Sequence, residues 1–347
     1  MTKAKQVRLA DVANAAGTST KTASRVLNGD PRVAPATRER VRAAMAELGY
    51  QVDVVARSLR TGVDETIAVV VPTIGDPFFA SMIEEIEREV YKQGVKLLVA
   101  TNSRDPQEEQ RVINGLLARR VAGIIVTPYT ADYSFLDSVR TPVVFLDRRP
   151  KGRHAGAVRV DDEGWAHQAV VHLFGHGHRD VAIVADDLMV NTSQYRLDGY
   201  RRAHREYGIP VRPAWEILDC TRAEDAYRET LKLLKSEEQP TAIFSARSET
   251  TVGVVRALHE SGRTDLAVVS FGDFSTAELL APAVTAIDHS PVGLARLALA
   301  RLGRRMDGAD ESTVDDVMEM ALIRRGSGEI PGPALVKASL SVAAGAQ

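Results

Sequence analysis

Apolar residues in the first fifty positions recur at helical spacing. Leu9, Val12, Ala13 and Ala16 mark one face, Gly17 interrupts it, and a segment beginning at Thr20 carries Ala23, Val26 and Leu27. Gly29, Asp30 and Pro31 end that segment. A third begins at Pro35, a suitable first helical residue, and places Val41, Ala44, Met45 and Leu48 on one face before Gly49. Beyond Gly62 the texture changes to short apolar runs: Ile67 to Val71, Lys96 to Ala100, Gly123 to Thr127, Val143 to Leu146, Val181 to Ala185, Ala242 to Ser245 and Leu266 to Phe271. Amphipathic stretches separate them, such as Phe79, Ile83, Ile86 and Val90 closed by Gly94. Strand and helix in alternation predict parallel sheets covered on both faces, and this many strands predict two sheets. A cleft between them, beyond the carboxyl ends of the strands, is the expected pocket. The tail after Gly326, with its Gly, Pro and Ala, reads as loosely ordered.

Charge changes this picture. The net charge of -2 over 347 residues hides a segregation, because Met1 to Thr61 holds eleven Lys and Arg against five Asp and Glu, a balance of +6, and the remainder carries -8. Only the small first unit is suited to a polyanion. A single cysteine, Cys220, excludes an intramolecular disulfide and fits a reducing compartment. Met1 to Ala10 has no apolar stretch of the signal-peptide kind and no run is long enough to span a bilayer, so a cytoplasmic location is expected. His172, His176 and His178 with Asp180 have a spacing that suggests metal, but no Cys or further His completes a site, so no metal is expected. No nucleophile elbow, Walker loop or dinucleotide fingerprint appears, and neither enzymatic activity nor a cofactor is expected.

From Val7 to Gly29 a helix, a tight turn and a second helix fit into barely twenty residues, which is helix-turn-helix spacing. The second helix offers Thr20, Lys21, Thr22, Ser24, Arg25 and Asn28, residue types that contact base edges and phosphates. The same pattern alone also suits an ordinary helical hairpin in a larger domain. Leu9-Ala10-Asp11-Val12-Ala13, Ala16-Gly17, Ser24-Arg25-Val26-Leu27-Asn28-Gly29 and Arg32-Val33, followed by Thr37 to Val41, run without gaps. This segment resembles the headpiece of the lactose-repressor family of bacterial transcription regulators. The resemblance implies that Thr20, Lys21 and Arg25 read bases and that Ser24 and Asn28 hold phosphates. Asp53 to Thr61 resembles the family's hinge, which implies that Ala56, Arg57 and Leu59 reach the operator, with Leu59 as a minor-groove wedge. Arg8 and Ala34 stand where the family usually places capping residues, and Val52-Asp53 replaces a common Pro-Asn pair.

The larger part is similar to the same family and, more distantly, to periplasmic sugar-binding proteins. Asp76-Pro77-Phe78-Phe79, Arg120 to Ile125, Phe145 to Arg148, Gly177-His178-Arg179 and Arg196 to Tyr200 carry the resemblance. It implies an all-α helix-turn-helix headpiece followed by an α/β, two-lobed, parallel-sheet domain. The expected division is a headpiece over 1–51, a hinge over 52–62, an effector and dimerisation domain over 66–330, and a flexible tail over 334–347. The first lobe takes about 66–162 and 289–319, the second about 163–288 and 320–333. By position, the resemblance places Asp76 and Phe79 in the loop after the first strand, Asp147 and Arg148 after the fourth, Arg196 at the start of a helix, and Arg247, Asp273 and His289 around the same cleft. Arg247 stands where many members have Asn, and Gly272 where many have Asp. A cation gained and a carboxylate lost lead to the expectation that Arg148, Arg196 and Arg247 make the cleft cationic, suited to a sugar phosphate or sugar acid. Arg247 pointing to solvent, or pairing with Asp273 or Glu249, is the alternative. The implied protein is a homodimeric repressor whose grip on double-stranded operator DNA answers to a sugar or sugar derivative. The other class open to this fold is a solute-binding protein of transport, which would need an export signal and has no use for a basic headpiece.

Overall fold

The computed structural model divides into two units, Met1–Asp64 and Glu65–Gln347. It describes residues 7, 9–27, 30, 32–48, 50, 64–129, 132–150, 155–308 and 313–336. In the first unit, helices α1 (Leu9–Ala15), α2 (Thr20–Leu27) and α3 (Pro35–Glu47) close around Val12, Ala13, Ala23, Val26, Val41 and Ala44. The turn from α1 to α2 passes through Gly17 at φ +59°, with open space around the position where a Cβ would stand, so conformation and not room favours glycine. Ser19, which the apolar pattern does not single out, caps α2 by accepting from Thr22 N at 3.1 Å.

The bare cap expected at Ala34 is present. Ala34 precedes Pro35 at the start of α3 and offers no side-chain acceptor to the first turn. Ala34→Ser is therefore expected to raise headpiece stability by about 0.5–2 kcal/mol. Hydrogen exchange of the α3 amides in the full chain measures it, and unchanged protection would contradict it.

The second unit holds two six-stranded sheets. In the first lobe, β1 (Asp64–Val71), β2 (Lys96–Thr101), β3 (Val121–Val126), β4 (Val143–Leu146) and β5 (Ala157–Arg159) pair in parallel in the order β5-β4-β3-β1-β2. The period of two along β1 sorts its side chains: Ile67, Val69 and Val71 face α4 (Pro77–Lys92) and the late helix Pro291–Met306, while Ala68 and Val70 face α5 (Pro106–Ala118). In the second lobe, β6 (Val181–Val184), β7 (Glu216–Ile217), β8 (Ala242–Ser245), β9 (Ala267–Phe271) and β10 (Thr285–Asp288) run in the order β10-β9-β8-β6-β7. Helices α6 (Asp162–Gly175) and α7 (Asn191–Glu206) cover one face of that sheet, and α8 (Ala223–Leu233) and α9 (Ser248–Glu260) the other. The late helix, α10 (Pro291–Met306), returns to the first lobe. Two further edge strands follow: β11 (Asp316–Val317) joins the first sheet beside β5, and β12 (Ala321–Ile323) joins the second, antiparallel to β10.

The chain thus passes between lobes near Val160, at His289 and between Met318 and Met320. Met320 packs against the cores of both lobes. Side-chain caps start helices in the first lobe and at the His289 passage. Asp76, Asp105 and Ser290 each precede a proline at the first helical position and accept a backbone N–H.

The loosely ordered tail expected after Gly326 is not found as far as Val336. Ser327 Oγ donates to Val268 O at 2.6 Å and accepts from Thr285 N at 2.9 Å. Gly332 N donates to His176 O at 2.7 Å, and a helical turn at 333–336 runs into the span expected to be flexible. Small residues allow this close approach, so the composition that suggested disorder instead permits packing. The histidines weighed as a metal set belong here: His172 meets Glu329 at 2.9 Å, and His178 bridges Thr241 and Ile330 O, each at 2.9 Å.

Candidate functional site

On the headpiece, burial of Ala23 and Val26 turns the opposite face of α2 outward. Thr20, Lys21 and Arg25 are exposed, and Thr22 and Ser24 half-buried. Arg25 keeps about half its side chain in solvent and approaches Asp30 at 3.8 Å. Arg32 takes Asp30 more firmly, Nε to Oδ1 at 2.9 Å and Nη2 to Oδ2 at 2.8 Å. Those bonds from Arg32 hold the Asp30 carboxyl down at about 2. The pairing braces the segment after α2 and leaves most of the Arg25 guanidinium open to a planar acceptor pair.

The other candidate site is the cleft of the second unit, where strand ends from both lobes converge around a small cavity of about 30 Å³. Four arginines and four aspartates make its charged framework. Arg104, after β2, bonds both oxygens of Asp186, after β6, at 2.9 and 2.8 Å. Arg247, after β8, reaches Asp186 at 2.5 Å and Asp76 at 3.0 Å. Since Arg104 and Asp76 belong to the first lobe and Asp186 and Arg247 to the second, the chain of charges crosses the cleft twice. Arg196, in the second turn of α7, donates to Asp162 at 2.8 Å and to Ala246 O at 2.8 Å, with its guanidinium 3.9 Å from the Phe271 ring centre. Arg148 lies 3.4 Å from Asp147 and donates to Pro128 O at 3.3 Å.

Burial dominates the ionisation here. It pushes the carboxyl of Asp162 up to about 6 against the pull of Arg196, raises that of Asp147, and lowers the guanidinium of Arg148. His289 stacks on Phe78 with ring centres 4.4 Å apart and 6° between planes. Burial, helped by Arg196, brings the His289 imidazole down to about 3. It is a neutral hydrogen-bonding group at physiological pH. Gly272 makes room for it, since a Cβ there would stand 2.8 Å from His289 Cε1, and its φ of +98° suits glycine alone.

The low pKa of His289 has a consequence for stability. In the unfolded chain this imidazole takes a proton near 6.5, whereas in the folded chain it stays neutral down to about 3. Unfolding therefore takes up a proton between those values, and folded-state stability falls as pH drops through 6.5. Its share of the loss between pH 6.5 and pH 5 is about 2 kcal/mol. His289→Gln should make stability correspondingly less pH-dependent in urea unfolding at the two pH values. Identical slopes for both proteins would contradict this.

Residues 8–53 match the profile of the lacI family of bacterial regulatory proteins, and residues 170–328 that of a periplasmic binding protein-like domain. An HTH-type transcriptional repressor, PurR, of Haemophilus influenzae (strain PittEE) is 31% identical over 328 residues, covering 91% of this chain and 97% of that protein. The chain belongs to the lacI family. PurR of Pasteurella multocida (strain Pm70) is 29% identical over 324 residues, 91% of this chain and 97% of its own. Among solved structures, the lac repressor dimer bound to operator and the anti-inducer ONPF superposes with a TM-score of 0.83 at 26% identity, covering 94% of this chain and all of that one. A transcriptional regulator CelR–cellobiose complex gives 0.68 at 28% identity, covering 92% and 99%.

Membership of the lacI family makes the chain a DNA-binding transcriptional repressor, not an enzyme and not a solute-binding protein of transport. No described helix is long and apolar enough to cross a membrane. The structure places the expected residues unevenly. Asn28, Ala56, Arg57 and Leu59, like the cap position Arg8, lie outside the described residues. Asp76, Phe79, Asp147, Arg148, Arg196, Arg247 and His289 all line the one cavity. Phe79 is not in the loop after β1 as expected: it lies in the first turn of α4, held by the Asp76 cap, and most of its ring belongs to the first lobe's core. Asp273 does not join them. The glycine turn at 272 directs it to a neighbouring groove, where Arg325 binds it through both oxygens at 2.6 and 2.7 Å. The cationic cleft is also corrected. Arg148, Arg196 and Arg247 each have a carboxylate partner, and those of Arg247 are Asp76 and Asp186, neither Asp273 nor Glu249. Arg104, Asp186, Thr192 and Ser193 line the cavity and were not singled out, although Arg104 and Asp186 both follow strands at their carboxyl ends.

Proposed function

We propose that this repressor binds a near-palindromic operator as a homodimer through residues 1–62, and that a neutral, hydroxyl-rich effector, a sugar or polyol, governs its affinity from the cleft of residues 66–330. The observation that carries the effector class is the cleft's polar inventory. Its guanidiniums are matched by carboxylates, whereas Asp147 Oδ1, Arg148 Nε and His289 Nδ1 are buried without a hydrogen-bond partner. An acceptor, a donor and a neutral imidazole in one cavity suit hydroxyl groups, each of which both donates and accepts. Phe78, half-buried and stacked on His289, supplies an apolar face for a ring. Support also comes from two structural relatives, a dimer on its operator and a regulator in complex with cellobiose.

An effector shifts operator affinity only if it binds the DNA-competent and DNA-released forms unequally. Selection of bound duplexes from random fragments gives the operator. Calorimetric titration of the full chain with neutral sugars and their phosphates then tests the class. Tight binding of a neutral sugar is expected, and exclusive binding of phosphorylated or acidic sugars would overturn the reading.

A further inference from the structure

The cleft arginines raise the question of why so many guanidiniums leave no positive field. Asp186 supplies most of the answer. Its carboxylate accepts from Arg104 Nη1 at 2.9 Å, Arg104 Nη2 at 2.8 Å, Arg247 Nη1 at 2.5 Å and the backbone N–H of Asp187 at 2.8 Å. Two guanidiniums and an amide converging on one carboxylate are the donor set that would hold the carboxylate or phosphate of a ligand. We propose that Asp186 is a specificity-determining residue: it occupies an anion seat between Arg104 and Arg247 and so excludes anionic effectors from the cleft. This rests on the reading of the cleft as the effector site.

Three observations support the exclusion. The seat is enclosed, with the Arg104, Asp186 and Arg247 side chains only 21%, 5% and 15% exposed, so solvent screens it weakly. Burial alone would raise the Asp186 carboxyl, but the bonds from Arg104 and the charge of Arg247 outweigh it and hold the group below its ordinary value. It therefore stays ionised at any pH at which the protein works. Lastly, Arg247 is tied at its other end to Asp76, and Arg148 and Arg196 face Asp147 and Asp162, so no cleft guanidinium among the described residues lacks a carboxylate within ion-pair distance. An incoming anion would meet a filled seat and like charge. A neutral hydroxyl would meet neither obstacle. Because Arg104 comes from one lobe and Asp186 and Arg247 from the other, the same carboxylate also ties the lobes together.

Asp186→Asn keeps the shape and removes the charge. In calorimetric titration of the full-length chain with inorganic phosphate at constant ionic strength, the variant is expected to bind at least about tenfold more tightly than wild type. Adding Arg247→Gln should remove that gain, and the preference for glucose 6-phosphate over glucose should move the same way. Asp186→Ser serves where the asparagine variant fails to fold, with circular dichroism and operator binding as the check. Phosphate affinity within twofold of wild type, a gain that survives Arg247→Gln, or wild type binding phosphate as tightly as the variant would each overturn the proposal. If the phosphate results hold and no neutral sugar binds wild type, the seat stands and the sugar reading of the cleft falls.

Discussion

Arg196→Ala is expected to lose about 3–5 kcal/mol of folded-state stability and all response to effector. The guanidinium is almost wholly buried, bridges Asp162 and Ala246 O, and lies over Phe271. Removing it leaves the Asp162 carboxylate buried with no charged partner, and truncation of one member of such a pair is far costlier than its exposed equivalent. Asp162 already titrates as high as about 6 with Arg196 present. Its pKa should climb further without it, so the variant should be less destabilised at pH 5 than at pH 8. The pair Arg196→Met with Asp162→Asn separates the two roles: it should recover much of the stability but none of the effector binding. Urea unfolding and calorimetry on the three proteins measure this. Effector binding that survives in the double variant would remove Arg196 from the site.

Arg25→Ala is the second large effect. A bidentate arginine–guanine contact contributes about 1–3 kcal/mol, and a dimer on a palindrome makes it twice, so operator affinity should fall by about 2–6 kcal/mol. The fall should be confined to operators that keep the contacted base. Replacing that base should cost wild type dearly and the variant little, whereas loss of a phosphate contact would weaken all sequences alike and reduce the salt slope. Asp30 is held by Arg32 through two bonds, so removal of Arg25 should leave the segment after α2 in place. Uniform weakening on every duplex would assign Arg25 to the backbone.

The headpiece was legible because its information is local. The apolar positions that form its core, from Val12 to Ala44, lie at helical spacing in one short stretch, and the turn glycine sits between them. The central strands were legible for the same reason: runs such as Val143–Leu146 are buried on both faces and read as continuous apolar segments. The edge strands were not, since Glu216–Ile217 and Asp316–Val317 are two residues long and half-polar. The site divides along a similar line. Asp76, Asp147 and Arg196 could be placed by position, but the charge of the cleft could not. It depends on which aspartate each arginine meets, and Arg104 and Asp186 stand 82 residues apart on different lobes. Counting cations among three positions gave a positive cleft because the carboxylates that neutralise them come from elsewhere in the chain. Asp273 failed for the opposite reason, a local one: the left-handed glycine before it turns its side chain to Arg325.

A neutral hydroxyl-rich ligand in the cleft should change the grip of the headpiece on DNA. The most direct test is fluorescence anisotropy of the selected operator with the full chain, titrated with neutral mono- and disaccharides at fixed salt. At least one should change operator affinity by about fivefold or more, a coupling of about 1 kcal/mol or above, and the double variant Arg196→Met with Asp162→Asn, which keeps much of the stability, should abolish the change. Operator affinity that stays constant across all neutral sugars, or that responds equally in the double variant, would contradict it.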